Sequence, residues 1–508
     1  MELTVTNKQV PSVEVVYDGC AEQPVECDLL LPDYCPDIVR ILKCTVTPVL
    51  RRKQQSGTTL TLEGDAQIRV YYISEDPAQI CSADTTLPFT KNIELSSREG
   101  TLLSGVTAKT DYVNCRAISP RRADIRAALS IYLQVEALTS KEVLCGGTGG
   151  GIQLDLAREE VAVCTGGAEK LFSIRETFEA GYGTPVIREI LACTGTVRIN
   201  DVRALPGKGV IKGEAELEAF CRTADGGTDV ITATLPVSQI VDCEGADESS
   251  RCTAVAEVLS CRILPAGEGE EGLTAELELS CRIRAYTSTE ITFAEDAYST
   301  CYPTECETVC LRLERRGENC REVLPLSVSF EQTDPPVTEI LYTEVRTSAV
   351  ATAVSDGFLT AEGRLLCGFF ARNADQEIVY FEREAPFTFK KALPDPDEPV
   401  DAQLRVTPIL SGVTVTATGL ELRAELRWEG ELRTLLTRTV LTDVRLDEEH
   451  PLERDPAIGL IVYYADAGER IWDIAKRYRT SAAAVQEENE TESEILPNRC
   501  MLMIPMVV

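Results

Sequence analysis

The chain has 508 residues, 44% of them hydrophobic, which supplies cores for three or four domains and excludes a disordered chain. Its formal net charge of −32 sets it against nucleic-acid phosphates and anionic membrane surfaces as partners. The opening MELTVTNKQV is too polar for a secretory leader, no stretch approaches the ~20 apolar residues of a membrane helix, and the 20 cysteines lie scattered through apolar segments, so the expectation is a chain kept in a reducing, cytoplasmic compartment.

From the N-terminus, the first element is DIVRILKCTV, starting at Asp37, where Ile38-Val39 and Ile41-Leu42 after Pro36-Asp37 predict a short helical turn. In LEGDAQIRVYY, Ile68, Val70 and Tyr72 alternate with Arg69 and Tyr71, the period of two of a half-buried strand. A strand through Pro88 follows, then one with Leu129, Ile131, Leu133 and Val135 on one face. The GGTGGG stretch at 146–151 has neither a GK[ST] ending nor a strand–helix context for phosphate binding, so 146–167 reads as a Gly-rich flexible linker.

The same landmarks then recur. Ile41-Leu42 returns as Ile190-Leu191 and Ile340-Leu341, Gly64 as Gly213 and Gly363, Pro88 as Pro236 and Pro386, and Leu129 as Leu277 and Leu426. Four landmarks in one order at shifts of 148–150 residues define a triplication. The copies fall at 1–145, 168–298 and 322–449, with a second linker at 299–321. In copy two, Leu277, Leu279, Cys281, Ile283 and Ala285 face inward, while Glu276, Glu278, Ser280, Arg282 and Arg284 face solvent. LELRAELRW in copy three could pass alone for a helix, but its register makes it a strand with Leu420, Leu422, Ala424, Leu426 and Trp428 inward. SEDPAQ, TADGGT and RNADQ punctuate the strands as turns. The fold class is therefore mainly β, three β-sandwich or barrel-like repeats. The three glycines mark bulges or close approaches in strands.

After His450 the pattern changes to strand, helix, helix, strand, a small α+β (βααβ) module over 458–508. Ile471, Ile474, Ala475 and Tyr478 form one helix face, and Thr480 or Ser481 caps the second helix. Through GERIWDIAKRY, Asn489, Leu496-Pro497-Asn498 and Met501–Pro505 this segment resembles the LysM family. In that family two loops form a groove for N-acetylglucosamine polymers. The resemblance places them at Gly468–Ile471 and Ile495–Asn498, with a binding surface of Gly468, Glu469, Arg470, Ile471, Trp472, Asn489, Leu496, Pro497 and Asn498. The family's Gly-Asp-Thr is here Gly468-Glu469-Arg470 and its Pro-Gly is Pro497-Asn498, departures that favour a protein contact over sugar. A plain core role for Trp472 stays open.

Repeats with the lead-in LPDYCPDIVRILKC, a Gly-bearing strand, a Pro strand and a closing alternating strand, followed by a LysM, resemble the SPOCS-domain proteins of endospore-forming Firmicutes, of the clostridial SipL-like spore coat morphogenetic kind. The resemblance implies a non-enzymatic scaffold without a cofactor, in the mother-cell cytoplasm at the forespore surface. It would tether coat proteins to a basement-layer ATPase that the LysM holds. The other reading is an envelope protein that binds peptidoglycan or N-acetylglucosamine through its LysM.

Catalytic chemistry finds little to use. The one histidine, His450, sits in a charged linker. Cys301, Cys306, Cys310 and Cys320 lack the paired spacing of zinc knuckles, so no metal site is expected. Paired acids such as Glu159-Glu160 and Glu487-Glu488 are common in a chain with 82 acidic residues and carry no glycosidase assignment.

Overall fold

The computed structural model describes residues 3–77, 79–96, 101–179, 185–265, 272–393, 395, 399–453 and 458–506. Its architecture is mainly β with a small α+β module at the C-terminus. Copy one comprises β1 (Thr4–Leu30), β2 (Arg40–Ser56), β3 (Thr59–Ile73), β4 (Ile80–Glu94), β5 (Thr101–Ser119) and β6 (Arg122–Thr148). Copy two repeats them as β7 (Ile152–Phe178), β8 (Ile187–Leu205), β9 (Lys208–Thr223), β10 (Thr228–Asp242), β11 (Arg251–Pro265) and β12 (Leu273–Ser299). Copy three does so as β13 (Thr304–Glu331), β14 (Val337–Ser355), β15 (Phe358–Asn373), β16 (Ile378–Ala392), β17 (Val400–Thr416) and β18 (Gly419–Leu446).

Each copy holds two antiparallel three-stranded sheets. In copy one these are β2-β3-β4 and β1-β6-β5. Their inward faces share one core, in which Leu62, Ile68 and Val70 meet Ile125, Leu129 and Ile131. Two-residue turns close the first hairpins, at Gly57, Gly207 and Asp356-Gly357, all at positive φ where glycine carries no steric cost. The strands on which the alternation was read are strands, and Trp428 lies fully buried between Phe387 and Phe389. Gly64, Gly213 and Gly363 each sit opposite a bulge on the neighbouring strand. A Cβ on Gly213 would stand 2.1 Å from the Arg198 carbonyl oxygen.

Three sequence expectations need correction. Residues 36–39 are not helical: Ile38 donates to the Pro120 carbonyl and Val39 to that of Ile73. The stretch 146–167 is not a flexible linker. β6 runs through Thr148, only Gly149, Gly150 and Gly151 make the turn, all at positive φ, and β7 begins at Ile152. Likewise 304–321 lies within β13. The physical reason is strand length. The first and last strands of each copy reach 27 or 28 residues and extend past the copy's own core.

Those extensions pack the copies on one another. Val10, Val143, Val161, Phe293, Leu313 and Val440, drawn from all three copies, form one buried cluster. At the other sheet, Tyr71, Phe220 and Phe370 point away from their own cores and meet each other's copies. Phe220 stacks on Tyr342 at 4.8 Å and Tyr71 meets Phe370 edge-on at 5.2 Å. The three copies thus share apolar cores that none completes alone.

The terminal module is β19 (Leu460–Ala465), α1 (Ile471–Tyr478), α2 (Ala482–Glu488) and β20 (Cys500–Pro505). Ser481 caps α2 by accepting from the Ala484 amide at 3.0 Å.

Candidate functional site

The main buried charged cluster lies where the copies meet. Glu136, Arg284 and Arg433 occupy matching positions of β6, β12 and β18, spaced 148 and 149 residues apart. The sequence pattern placed Arg284 in solvent, yet it is 4% exposed, because the outer face of its strand is covered by the neighbouring copies. Arg433, 0% exposed, donates to both Glu136 oxygens at 2.6 and 2.7 Å, to Glu314 at 3.0 Å, and to Asp401. Arg284 donates to Glu136 at 2.9 Å. Nearby, Glu431 accepts from Thr253 at 2.9 Å and from Tyr286.

Burial opposes the charge on Glu136, but Arg433 and then Arg284 overcome it and hold its carboxyl at about 2. Burial pushes Glu314 up, only partly countered by the same two guanidinium groups. Glu314 also lines a cavity of about 490 Å³ whose walls include Ser12, Thr139, Cys164 and Arg312, again from all three copies. The arrangement is a set of interlocking ion pairs, strong where each member keeps its partners and costly where one is lost. Its signal in the sequence is three non-equivalent charges, Glu, Arg and Arg, at one repeat position.

In the terminal module the two loops singled out from the sequence do lie side by side. Gly468 donates to the Leu496 carbonyl at 2.8 Å, Leu496 to that of Glu469 at 3.0 Å, and Ile471 to that of Glu494 at 2.9 Å. Gly468 adopts φ +91, the reason for glycine there. Of the nine candidate residues, Gly468, Arg470, Pro497 and Asn498 are exposed. Glu469 is half-buried and accepts from the Tyr463 hydroxyl and the Asp466 amide. Ile471 and Leu496 are 1% and 3% exposed and belong to the module's core. Asn489 ties α2 to β20, donating to the Val485 and Met503 carbonyls and accepting from the Met503 amide.

Trp472 is not a plain core residue. Its indole N–H donates to Asp296 at 2.9 Å, and its ring meets Tyr298 edge-on at 4.9 Å. Lys476 reaches the same Asp296 at 2.7 Å and Arg470 reaches Asp155 at 2.6 Å. Tyr298 is 5% exposed within the module's own core and donates to the Thr480 carbonyl at 2.6 Å. The module is therefore docked on the end of copy two. Sequence reasoning missed Asp155, Asp296 and Tyr298, because none falls in a motif; Ile495, at the start of the second loop, is exposed.

His450 is exposed and bonds only to Asp447 among the described residues. Cys306 and Cys310 are exposed and Cys320 is buried. Among the described residues no three His, Cys, Asp or Glu side chains gather to hold a metal, and no helix is long and apolar enough to cross a membrane.

Two segments, residues 37–118 and 186–263, match the family model described as SipL, SPOCS domain. These fall in the first and second copies, from the start of the lead-in to β2 through β5, and over β8 through most of β11. Over these segments the chain is similar to the SPOCS domain. No curated protein and no solved structure matches it.

Proposed function

We propose that this chain is a non-enzymatic scaffold of spore coat or envelope assembly, tethering coat proteins to an ATPase layer on the forespore surface from the mother-cell cytoplasm. The observation that carries the reading is the SipL SPOCS-domain match in two copies. The architecture supports it. Its buried charges are spent on holding three copies together, and a small module is presented at one end. We read that module as a LysM used for protein contact. Its contact surface is the exposed part of the loop pair away from the seat on copy two, Ile495, Pro497 and Asn498.

The test uses the full chain with purified, polymerised forespore-surface ATPase in a co-sedimentation assay. Ile495→Asp changes an exposed side chain and leaves the core intact, so capture should fall at least tenfold while the fold is retained. Unchanged capture by Ile495→Asp and Asn498→Ala together would remove the loop pair as the contact. Binding to chitin oligomers or peptidoglycan without ATPase capture would establish the glycan reading instead.

A further inference from the structure

Twenty cysteines yield two pairs placed alike in the fold. In copy two, Cys193 on β8 and Cys261 on β11 bring their sulfurs to 2.9 Å. In copy one, Cys44 on β2 and Cys115 on β5 lie in one hydrophobic core, near enough for each thiol to perturb the other's ionisation. β2 and β8 are the same strand of successive repeats, and Cys44 and Cys193 are 149 residues apart and pair with Val70 and Ala219, themselves 149 apart. Their partners stand on the matching strands β5 and β11, across the seam where the two sheets of each copy meet. Copy three has Thr343 at the matching position, 4% exposed, its hydroxyl without a hydrogen-bond partner.

We propose that Cys44–Cys115 and Cys193–Cys261 are oxidation sites, each closing to an intramolecular disulfide that locks the two sheets of its copy. A bond of ~2.05 Å asks the Cys193 and Cys261 sulfurs to close by less than an ångström, and two facing strands let both Cβ atoms move. Neither pair has the third ligand of a metal site among the described residues.

The oxidant is a small-molecule disulfide of the glutathione class. Cys115 and Cys193 are partly exposed, and the partner thiol lowers the pKa of each, which favours the thiolate. That thiolate attacks one sulfur of the oxidant and expels one small thiolate, leaving a mixed disulfide. Cys44 or Cys261, deprotonated in turn, attacks the protein sulfur and expels the second small thiolate. Two protein thiols are oxidised, one oxidant disulfide is reduced to two thiols, and the two protons pass to the departing thiolates. Each bond closes a long loop of the unfolded chain, 68 residues apart in sequence for Cys193 and Cys261, so the oxidised protein resists unfolding.

The experiment exposes the reduced full-length chain, in its native state, to oxidised glutathione and maps its disulfides after quenching. The expected products are the two named cross-links, with 16 of the 20 cysteines still alkylatable and a higher denaturant midpoint that dithiothreitol reverses. Cys193→Ser should delete one cross-link and leave Cys44–Cys115 forming. Only glutathione adducts, no reaction at all, or links from these four residues to other cysteines would each overturn the proposal.

Discussion

At the scale of single residues, position in the repeat decides what a side chain does. Gly213 cannot carry a Cβ, which would stand 2.1 Å from a backbone oxygen, whereas at Gly363 the obstacle is the Phe387 ring at 2.6 Å, which can turn. Gly213→Ala should therefore cost about 1–3 kcal/mol of stability and Gly363→Ala less, read by denaturant titration. Glu136 carries a second prediction. Its folded carboxyl sits at about 2 against an ordinary 4.5. Its stabilisation, about 3 kcal/mol, is fully present above pH 4.5 and is lost as pH falls through about 2. Glu314, with its pKa raised by burial, works in the opposite sense and loses stability as pH rises. Comparing the wild type with Glu136→Gln isolates the first term. The difference between them should be largest near neutrality and shrink steadily below pH 4.5. A difference constant with pH would show that Glu136 is not charged in the fold.

At the scale of elements, strands follow from alternation and turns, and both were legible. The inward residues of the strand through Leu277 and of its two counterparts are core residues. What alternation hid is the second buried face. Tyr71 and Arg284 sit on outward positions and read as solvated, yet both are buried by other copies. A signal did exist in the runs VYYI, AFC and GFFA, where the outward positions Tyr71, Phe220 and Phe370 are aromatic and not charged. The linkers were misread for a related reason: glycine richness and polar alternation look alike whether a strand end is free or covered. The terminal βααβ order was legible from helix periodicity, whereas its seat on copy two depends on Asp155, Asp296 and Tyr298, which no local pattern connects to it. Asp296→Ala removes the shared acceptor of Trp472 and Lys476. Limited proteolysis of the full chain should then cut between 449 and 459 faster than in the wild type, with copies one to three left intact. An unchanged cleavage rate would mean that the seat does not depend on that carboxylate.

At the scale of the whole molecule, three copies form one body with a small module seated at its end. Each copy supplies part of the aromatic cluster around Phe220 and part of the ion-pair cluster around Arg433. The chain has two tryptophans, one in the core of copy three and one at the seat of the terminal module. In a Trp472→Phe background, Trp428 fluorescence reports on copy three alone. Phe220→Ser lies in copy two and touches copy three through Tyr342 and Phe370. If the copies fold as one body, that substitution should move the Trp428 denaturation midpoint down by the equivalent of about 3 kcal/mol. A Trp428 transition that stays where it was, while copy two alone unfolds early, would contradict it.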